Sequence, residues 1–133
     1  MADAPDHVRD DEILYRRLLS SKYDPLSDHS IPQDAFRPSR HDQNGISWYR
    51  AKDLTPEQVA SAGRNLQGYH VLAVRAGDLR ARGLTLVADD DPKGHVSIPE
   101  MNYNNRRSDE TIEHAQVIAD CLTTVVLHHL PNT

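Results

Sequence analysis

The side chains best suited to chemistry are two adjacent arginines, Arg16 and Arg17, followed by Ser47, His95 and Glu100. An arginine guanidinium presents a rigid fork of donors that fits a phosphate or pyrophosphate. The sequence therefore predicts a catalytic site that uses Arg16 or Arg17, Ser47, and His95 or Glu100. The structural alternatives are an arginine at a solvated strand edge, a serine in a turn and a surface histidine.

A phosphate-bearing ligand, if one binds, is expected at the Tyr15–Arg17 segment, close to Arg37 and Ser47. Successive side chains of a strand point to opposite faces, so only one of Arg16 and Arg17 can contact that ligand. Leu14 and Leu18 share the face of Arg16, whereas Ile13 and Tyr15 share the face of Arg17. The flanking apolar residues therefore do not choose between the two arginines.

Aromatic side chains could stack on a base or ring of such a ligand. The candidates are the adjacent Trp48 and Tyr49, together with Phe36 and Tyr69. A role in the core is the favoured interpretation for Phe36 and Tyr69. For Trp48 the core and the ligand are equally favoured.

The sequence predicts neither a metal site nor a required cofactor. The chain has eight histidines, but none of them shows the spacing of a helical zinc motif. The acidic run Asp89–Asp91 continues into Pro92, Lys93 and Gly94, which is typical of a hairpin turn rather than of a cation site. Cys121 is interpreted as a small core residue, because a nucleophilic cysteine needs an electropositive setting.

Several short segments have the pattern of strands. Residues 13–19 are interpreted as a strand, with a helix as the competing assignment, and residues 46–49 follow an Asn-Gly turn. Residues 69–74 are apolar on both faces, which favours an interior strand with both faces covered. Residues 84–88 and 95–98 flank the turn and predict a hairpin. Residues 20–40 are predicted to form a long loop.

Three helices are predicted. Thr55, Pro56 and Gln58 form a capping box with proline at the first helical position. A short helix is predicted over 77–82, and Ser108 caps a long C-terminal helix that Pro131 ends. Its apolar stripe is formed by Ile112, Ala115, Ala119, Leu122 and Val126.

Together these elements predict an α+β fold: about five strands in a mostly antiparallel sheet, a capped middle helix and a long C-terminal helix. The chain has 133 residues, which favours one domain. We expect a disordered tail over residues 1–9, which offers nothing to bury, and a single domain over residues 10–133.

Composition excludes some function classes. The formal net charge is -5, whereas a protein that grips duplex nucleic acid usually has a basic excess. No apolar run approaches the roughly 20 residues of a membrane span, and the first ten residues do not resemble a signal peptide. A single cysteine cannot form an internal disulfide. A cytoplasmic protein that binds neither duplex nucleic acid nor membranes is therefore expected.

Over about residues 12–100, the order of these motifs resembles the ADP-ribosyltransferase-like toxin domains. The residues that carry the resemblance are Arg16, Ser47 after Gly45, the 69–75 strand and Glu100. The resemblance implies NAD as substrate, held by Arg16, with Ser47 orienting that arginine or the nicotinamide ribose and Glu100 assisting cleavage of the glycosidic bond. The Ser47 segment lacks the family's Ser-Thr-Ser form, and Glu100 follows a proline.

Most of the chain also resembles a set of small uncharacterised bacterial proteins. The shared features are Tyr15-Arg-Arg17, Phe36, Ser47, Asp91-Pro92 and His95-Val96. This resemblance implies a bacterial intracellular protein and carries no activity with it.

Two function classes remain open. The first is an enzyme that acts on NAD or another phosphorylated nucleotide, as a toxin component would. The second is a non-catalytic binding module with a protein partner, of an antitoxin-like or regulatory kind. Convergence of Arg16, Ser47 and His95 or Glu100 on one cleft would favour the enzyme.

Overall fold

The computed structural model of this chain describes residues 7–19, 36, 38, 45–61, 69–89, 93–105, 107–121 and 124–130. Over residues 19, 69, 119–121 and 124–130 it describes the backbone. Within these residues the elements, in chain order, are β1 Ile13–Leu19, β2 Ile46–Arg50, α1 Pro56–Ser61, β3 Tyr69–Arg75, α2 Ala76–Ala81, β4 Val87–Ala88, β5 His95–Ile98, α3 Asp109–Cys121 and β6 Thr124–Leu130.

The strands form one sheet in the order β4-β5-β2-β1-β3-β6, and every neighbouring pair is antiparallel. The α+β class, the strand over residues 13–19 and the hairpin between β4 and β5 are thereby confirmed. The first strand of that hairpin is shorter than expected, since only Val87 and Ala88 pair with β5. Leu84 and Leu86, the apolar residues before it, are buried without being part of a strand.

The sheet is covered on both faces. On one face, Leu14, Trp48, Leu72 and Val96 join a core cluster to which α2 and α3 also contribute. On the other face, Val71 packs with Tyr49 and with two residues of α1, Val59 and Ala60. The prediction that residues 69–74 form an interior strand with two covered faces is confirmed, because β3 lies between β1 and β6.

The N-terminus of α1 has the expected capping box. The Thr55 N–H donates to Gln58 Oε1 at 2.8 Å, and the Gln58 N–H donates to Thr55 Oγ1 at 3.2 Å. These reciprocal bonds satisfy two backbone donors that the first helical turn leaves without partners. The helix begins at Pro56, where the missing N–H costs nothing.

The C-terminal helix is shorter than the sequence analysis predicts. The cap is confirmed, since Ser108 Oγ accepts the Thr111 N–H at 3.1 Å, but α3 ends at Cys121 and Thr124 begins β6. Val126 therefore belongs to a strand, and Leu122 lies outside the described residues. The sequence Thr-Thr-Val-Val at 123–126 is rich in β-branched side chains, which fit a pleated strand better than a helix.

The buried side of α3 is also displaced from the predicted stripe. Ile112 is 40% exposed, whereas Thr111, Ala115 and Ile118 are buried. Spacings of four and three residues place these three side chains on one face of a helix. The predicted stripe, which included Val126, begins at Ile112, one residue after the first buried residue of the helix face, Thr111.

The N-terminal segment contributes to the core. Val8 is 1% exposed and belongs to the same cluster as Leu14, which corrects the expectation that residues 1–9 bury nothing. Residues 1–6 lie outside the described residues, as do most of residues 20–40. Phe36, within that long predicted loop, is buried. Among the helices that the structure describes, none is long and apolar enough to cross a bilayer.

Candidate functional site

Ser47 and His95 meet on one face of the sheet. Ser47 lies on β2 and His95 on β5, and the two strands pair with Tyr49 opposite His95 and Ser47 opposite Ser97. Ser47 and His95 are therefore diagonal neighbours, which brings their side chains within reach of each other. His95 Nε2 lies 2.8 Å from Ser47 Oγ.

A third side chain, Asp89, extends this contact into a chain of three groups. Asp89 directly follows β4, and its Oδ1 lies 2.6 Å from His95 Nδ1. Because a carboxylate only accepts hydrogen bonds, Nδ1–H of His95 donates to Asp89. In the neutral imidazole Nε2 is then the acceptor, and the Ser47 hydroxyl donates to it. This is the arrangement in which a histidine can take a proton from a serine nucleophile.

The imidazole is held in a largely buried position. The His95 side chain is 13% exposed, and that of Asp89 is 40% exposed. Tyr49 packs against the imidazole with ring centroids 5.6 Å apart and planes at 68°. The histidine is thus enclosed from the sheet side, while its carboxylate partner is hydrated. A hydrated carboxylate orients the ring but binds a positive imidazolium less strongly than a buried one would.

Arg17 lies on the same face of the sheet and contacts α1, the helix that packs on that face. Its guanidinium lies over the Tyr49 ring, 5.1 Å from the centroid, and donates to Tyr49 Oη at 3.4 Å. It also donates to the Val59 carbonyl of α1 at 3.0 Å. A cation near the last turn of a helix is favourable for the exposed carbonyls there. Arg17 therefore links α1 to the tyrosine beside His95.

Arg16 belongs to the opposite face. It shares a face of β1 with Leu14 and Leu18, and its guanidinium lies 5.9 Å from the centre of the Trp48 ring. Its Nη1 donates to the main-chain carbonyl of Ser47 at 2.9 Å. Arg16 thus contacts the backbone of the candidate nucleophile, while the Ser47 hydroxyl points to the other face.

Trp48 is a core residue, and its prediction as a ligand-stacking residue is corrected. Its side chain is completely buried, and Phe36 stacks on it with ring centroids 6.2 Å apart and planes at 9°. On β2 it alternates with Ser47, so the same periodicity that exposes the serine to one face buries the tryptophan in the other. The core role expected for Phe36 is confirmed.

Glu100 does not join Ser47 and His95. It lies beyond the last residue of β5, whereas His95 begins that strand. Its carboxylate accepts the Thr85 N–H, and its carbonyl accepts a bond from Asn105 at 2.8 Å. Glu100 therefore joins the segment after α2 to the turn that follows β5. Arg37 and the side chain of Tyr69, both predicted to bind ligand, lie outside the described residues.

Asp89 was not predicted as a site residue, because the acidic run Asp89–Asp91 was assigned to the hairpin turn. The register of the hairpin supplies the signal: Ala88 pairs with Val96, so the next position outward, Asp89, is opposite His95. The Asp89 N–H donates to the His95 carbonyl at 3.3 Å, which keeps the two residues together. Working out the register from the turn would have placed this carboxylate beside the histidine.

The far end of β2 carries a second polar cluster. Arg50 Nε donates to Glu12 Oε1 at 2.7 Å and Arg50 Nη2 donates to Glu12 Oε2 at 2.6 Å. Burial on its own raises the pKa of Glu12, but the bonds from Arg50 and from the Arg9 N–H, with the charges of Arg50 and Lys52, outweigh it and leave the pKa below its ordinary value. A cavity of about 510 Å³ opens beside this pair, lined by His7, Arg9, Asp11 and Lys52 as well.

Among the residues that the structure describes, no group of three His, Cys, Asp or Glu side chains is arranged to hold a metal ion. No family model, curated protein or solved structure matches this chain. The side-chain geometry is therefore the basis on which a function is assigned.

Proposed function

We propose that this protein is a serine-nucleophile hydrolase that transfers an acyl group from an ester to water. The observation that supports the proposal is the hydrogen-bonded chain from Ser47 Oγ through the His95 imidazole to the Asp89 carboxylate. An ordinary serine hydroxyl is a weak nucleophile, and an adjacent base that accepts its proton makes it reactive.

Each group has one role in the reaction. Ser47 Oγ attacks the carbonyl carbon of the ester and forms a new C–O bond, while its proton passes to His95 Nε2. The tetrahedral intermediate then breaks the bond to the leaving alkoxide, which takes that proton from Nε2. Water, deprotonated by the same nitrogen, attacks the acyl-serine; the carboxylic acid leaves and Ser47 Oγ recovers its proton. Asp89 holds the tautomer that makes Nε2 the acceptor and stabilises the transient imidazolium.

Hydrolysis of p-nitrophenyl acetate tests this proposal with three variants. Ser47→Ala should reduce the rate to that of buffer, and His95→Ala should lower it by roughly 10²-fold to 10⁴-fold, the usual contribution of a general base. Asp89→Asn should cause a smaller loss, because that carboxylate is partly hydrated. Ser61→Ala is a matched control, since Ser61 is an exposed serine on α1 whose hydroxyl bonds to a main-chain carbonyl. Equal rates for wild type and Ser47→Ala would reject the proposal.

A second candidate, cleavage of NAD or another phosphorylated nucleotide, has one observation in its favour. Arg16 donates to the Ser47 carbonyl, so an arginine and a serine of the predicted pair do touch. Calorimetric titration of NAD into wild type, Arg16→Lys and Arg17→Lys tests it, because lysine keeps the charge and loses the bidentate fork. Binding that Arg16→Lys weakens would favour this candidate over ester hydrolysis; the absence of any heat would reject it.

The non-catalytic binding module is the remaining alternative. It predicts no ester hydrolysis that depends on Ser47 or His95, and no heat on titration of NAD. We keep a cytoplasmic location and bacterial origin as part of the proposal. With a single cysteine, Cys121, the chain forms no internal disulfide, which suits a reducing compartment.

A further inference from the structure

Tyr49 occupies a position from which it can fix the orientation of His95. The two residues are direct cross-strand partners on β2 and β5. Their rings meet edge to face, with centroids 5.6 Å apart and planes at 68°, a preferred geometry for an aromatic pair. Tyr49 is only 9% exposed, so its own ring has little freedom to move.

Contacts on the side away from His95 hold Tyr49 in place. Arg17 lies over the Tyr49 ring and bonds to its hydroxyl, while another donor of Arg17 is anchored on the Val59 carbonyl of α1. On the side away from His95, Tyr49 packs into the cluster formed with Val59, Ala60 and Val71. The ring therefore forms a rigid wall that joins the imidazole to the α1 layer.

The His95 side chain has few alternative conformations, but the one that it adopts matters for the proposed reaction. Rotation about its second side-chain torsion is broad and roughly two-fold, and a half-turn would place Cδ2 and Cε1 where Nδ1 and Nε2 now lie, which would break the contacts with Asp89 and Ser47. The Asp89 side chain is 40% exposed, so its contact with Nδ1 alone restrains the ring weakly. A packed aromatic wall against one side of the imidazole restrains the rotamer from the buried side.

We propose that Tyr49 is a positioning residue that holds the His95 ring in the rotamer with Nδ1 toward Asp89 and Nε2 toward Ser47. The inference rests on the proposed hydrolase function for its catalytic consequence, but the ring orientation itself is a property of the folded protein. Tyr49 touches neither substrate nor the atoms that exchange a proton, so its effect passes through His95.

The experiment uses two readouts on the full chain. The first is the rate at which a fluorophosphonate phosphonylates the protein, measured by intact mass, because this reagent reacts with serines that a base activates. The second is the NMR signal of the His95 ring N–H in ¹⁵N-histidine-labelled protein, assigned by its loss in His95→Ala. Tyr49→Met removes the ring and fills its space with a flexible side chain, with Tyr49→Leu as the substitute if that variant unfolds. Tyr49→Phe keeps the ring, and Val71→Ala is the packing control from the same cluster.

Tyr49→Met should phosphonylate about threefold to tenfold more slowly, the range that loss of an aromatic pair converts to. Its His95 Nδ1–H signal should be lost or shared with a second tautomer. Tyr49→Phe and Val71→Ala should match wild type within about twofold and keep the signal. A Tyr49→Met protein with the wild-type rate and an unchanged His95 signal would overturn the proposal.

The two proposals fail in different ways. If wild type is not phosphonylated, the hydrolase function fails and the ring signal alone decides the role of Tyr49. If wild type reacts and Val71→Ala slows it as much as Tyr49→Met does, with the Nδ1–H signal intact in both, Tyr49 only stabilises the fold and the positioning role is rejected.

Discussion

The two ends of β2 carry polar networks that differ in how they end. At Arg50, both carboxylate oxygens of Glu12 accept from one guanidinium, and a further donor reaches the His7 carbonyl, so the network joins charges to one another and to the backbone. At Ser47, the network runs from a carboxylate through an imidazole and ends on a hydroxyl. The first arrangement fixes structure; the second ends on an atom that can form a new bond. The Glu12–Arg50 network therefore suits a structural role, whereas the Ser47 network ends on the hydroxyl that the proposed reaction would use.

The largest change is expected from opening the Arg50 network. Glu12→Gln should lower the free energy of unfolding by about 1.5–3 kcal/mol, because a neutral amide replaces the charged acceptor of two bonds from the buried Arg50 guanidinium. The Arg50 and Glu12 side chains are only 4% and 10% exposed. Urea denaturation measures the loss.

Asp78→Asn is the matched control for that variant. It breaks the ion pair with Arg75, whose side chain is 51% exposed, and should cost less than about 1 kcal/mol. Losses of similar size in the two variants would show that the Arg50 pair is no more important than a surface pair.

Acid should act on the same network. The pKa of Glu12 is lower in the folded chain than its ordinary value, so the unfolded chain binds the proton more tightly. The stability that this carboxylate contributes is therefore complete above the ordinary pKa and is lost as the pH falls through the lowered folded value. Urea midpoints measured from pH 6 down to pH 3 should fall less steeply for Glu12→Gln than for wild type. Parallel curves would show that another carboxylate dominates the acid response.

The adjacent arginines sharpen the comparison on a smaller scale. Arg16→Lys loses a charged bond to the Ser47 carbonyl and the contact with Trp48 in the core, so it should cost ~1.5 kcal/mol. Thermal and urea unfolding measure this cost. An Arg16→Lys variant with an unchanged free energy of unfolding would mean that this arginine is not part of the folded core. Such a result would favour the phosphate-binding interpretation.

The capping box gives the smallest effect. Thr55→Ala removes the acceptor of the Gln58 N–H and should destabilise the protein by about 1 kcal/mol. Both residues are exposed, so the change touches neither polar network on β2. Urea denaturation should show the loss, with p-nitrophenyl acetate hydrolysis unchanged. A hydrolysis rate that falls with Thr55→Ala would show that α1 supports the site more directly than through Arg17.

Local patterns predicted most of the elements, because their causes are local. The capping box at Thr55, the strand that follows the Asn-Gly turn and the two apolar faces of β3 each follow from a few neighbouring residues. The C-terminal segment failed for the opposite reason. Its apolar residues fit a helical stripe in spacing, and pairing with β3, a long-range interaction, decides that residues 124–130 form a strand.

The site divides in the same way. Ser47 and His95 were identified by residue type, and the structure brings them together. Asp89 was missed because its role depends on the hairpin register, and Glu100 was included because its chemistry was suitable although β5 carries it to the other end of the strand. Alternation did predict that Arg16 and Arg17 lie on different faces. It is Arg17 that shares the face of Ser47, whereas the resemblance had favoured Arg16.

The most direct test is to locate the residue that a fluorophosphonate modifies. The folded protein is treated briefly with the reagent and digested, and the modified residue is identified by peptide mass spectrometry. We expect a single adduct on Ser47 in wild type and no adduct in His95→Ala. An adduct on another serine, or modification of Ser47 that persists at the same rate in His95→Ala, would contradict the claim that His95 activates Ser47.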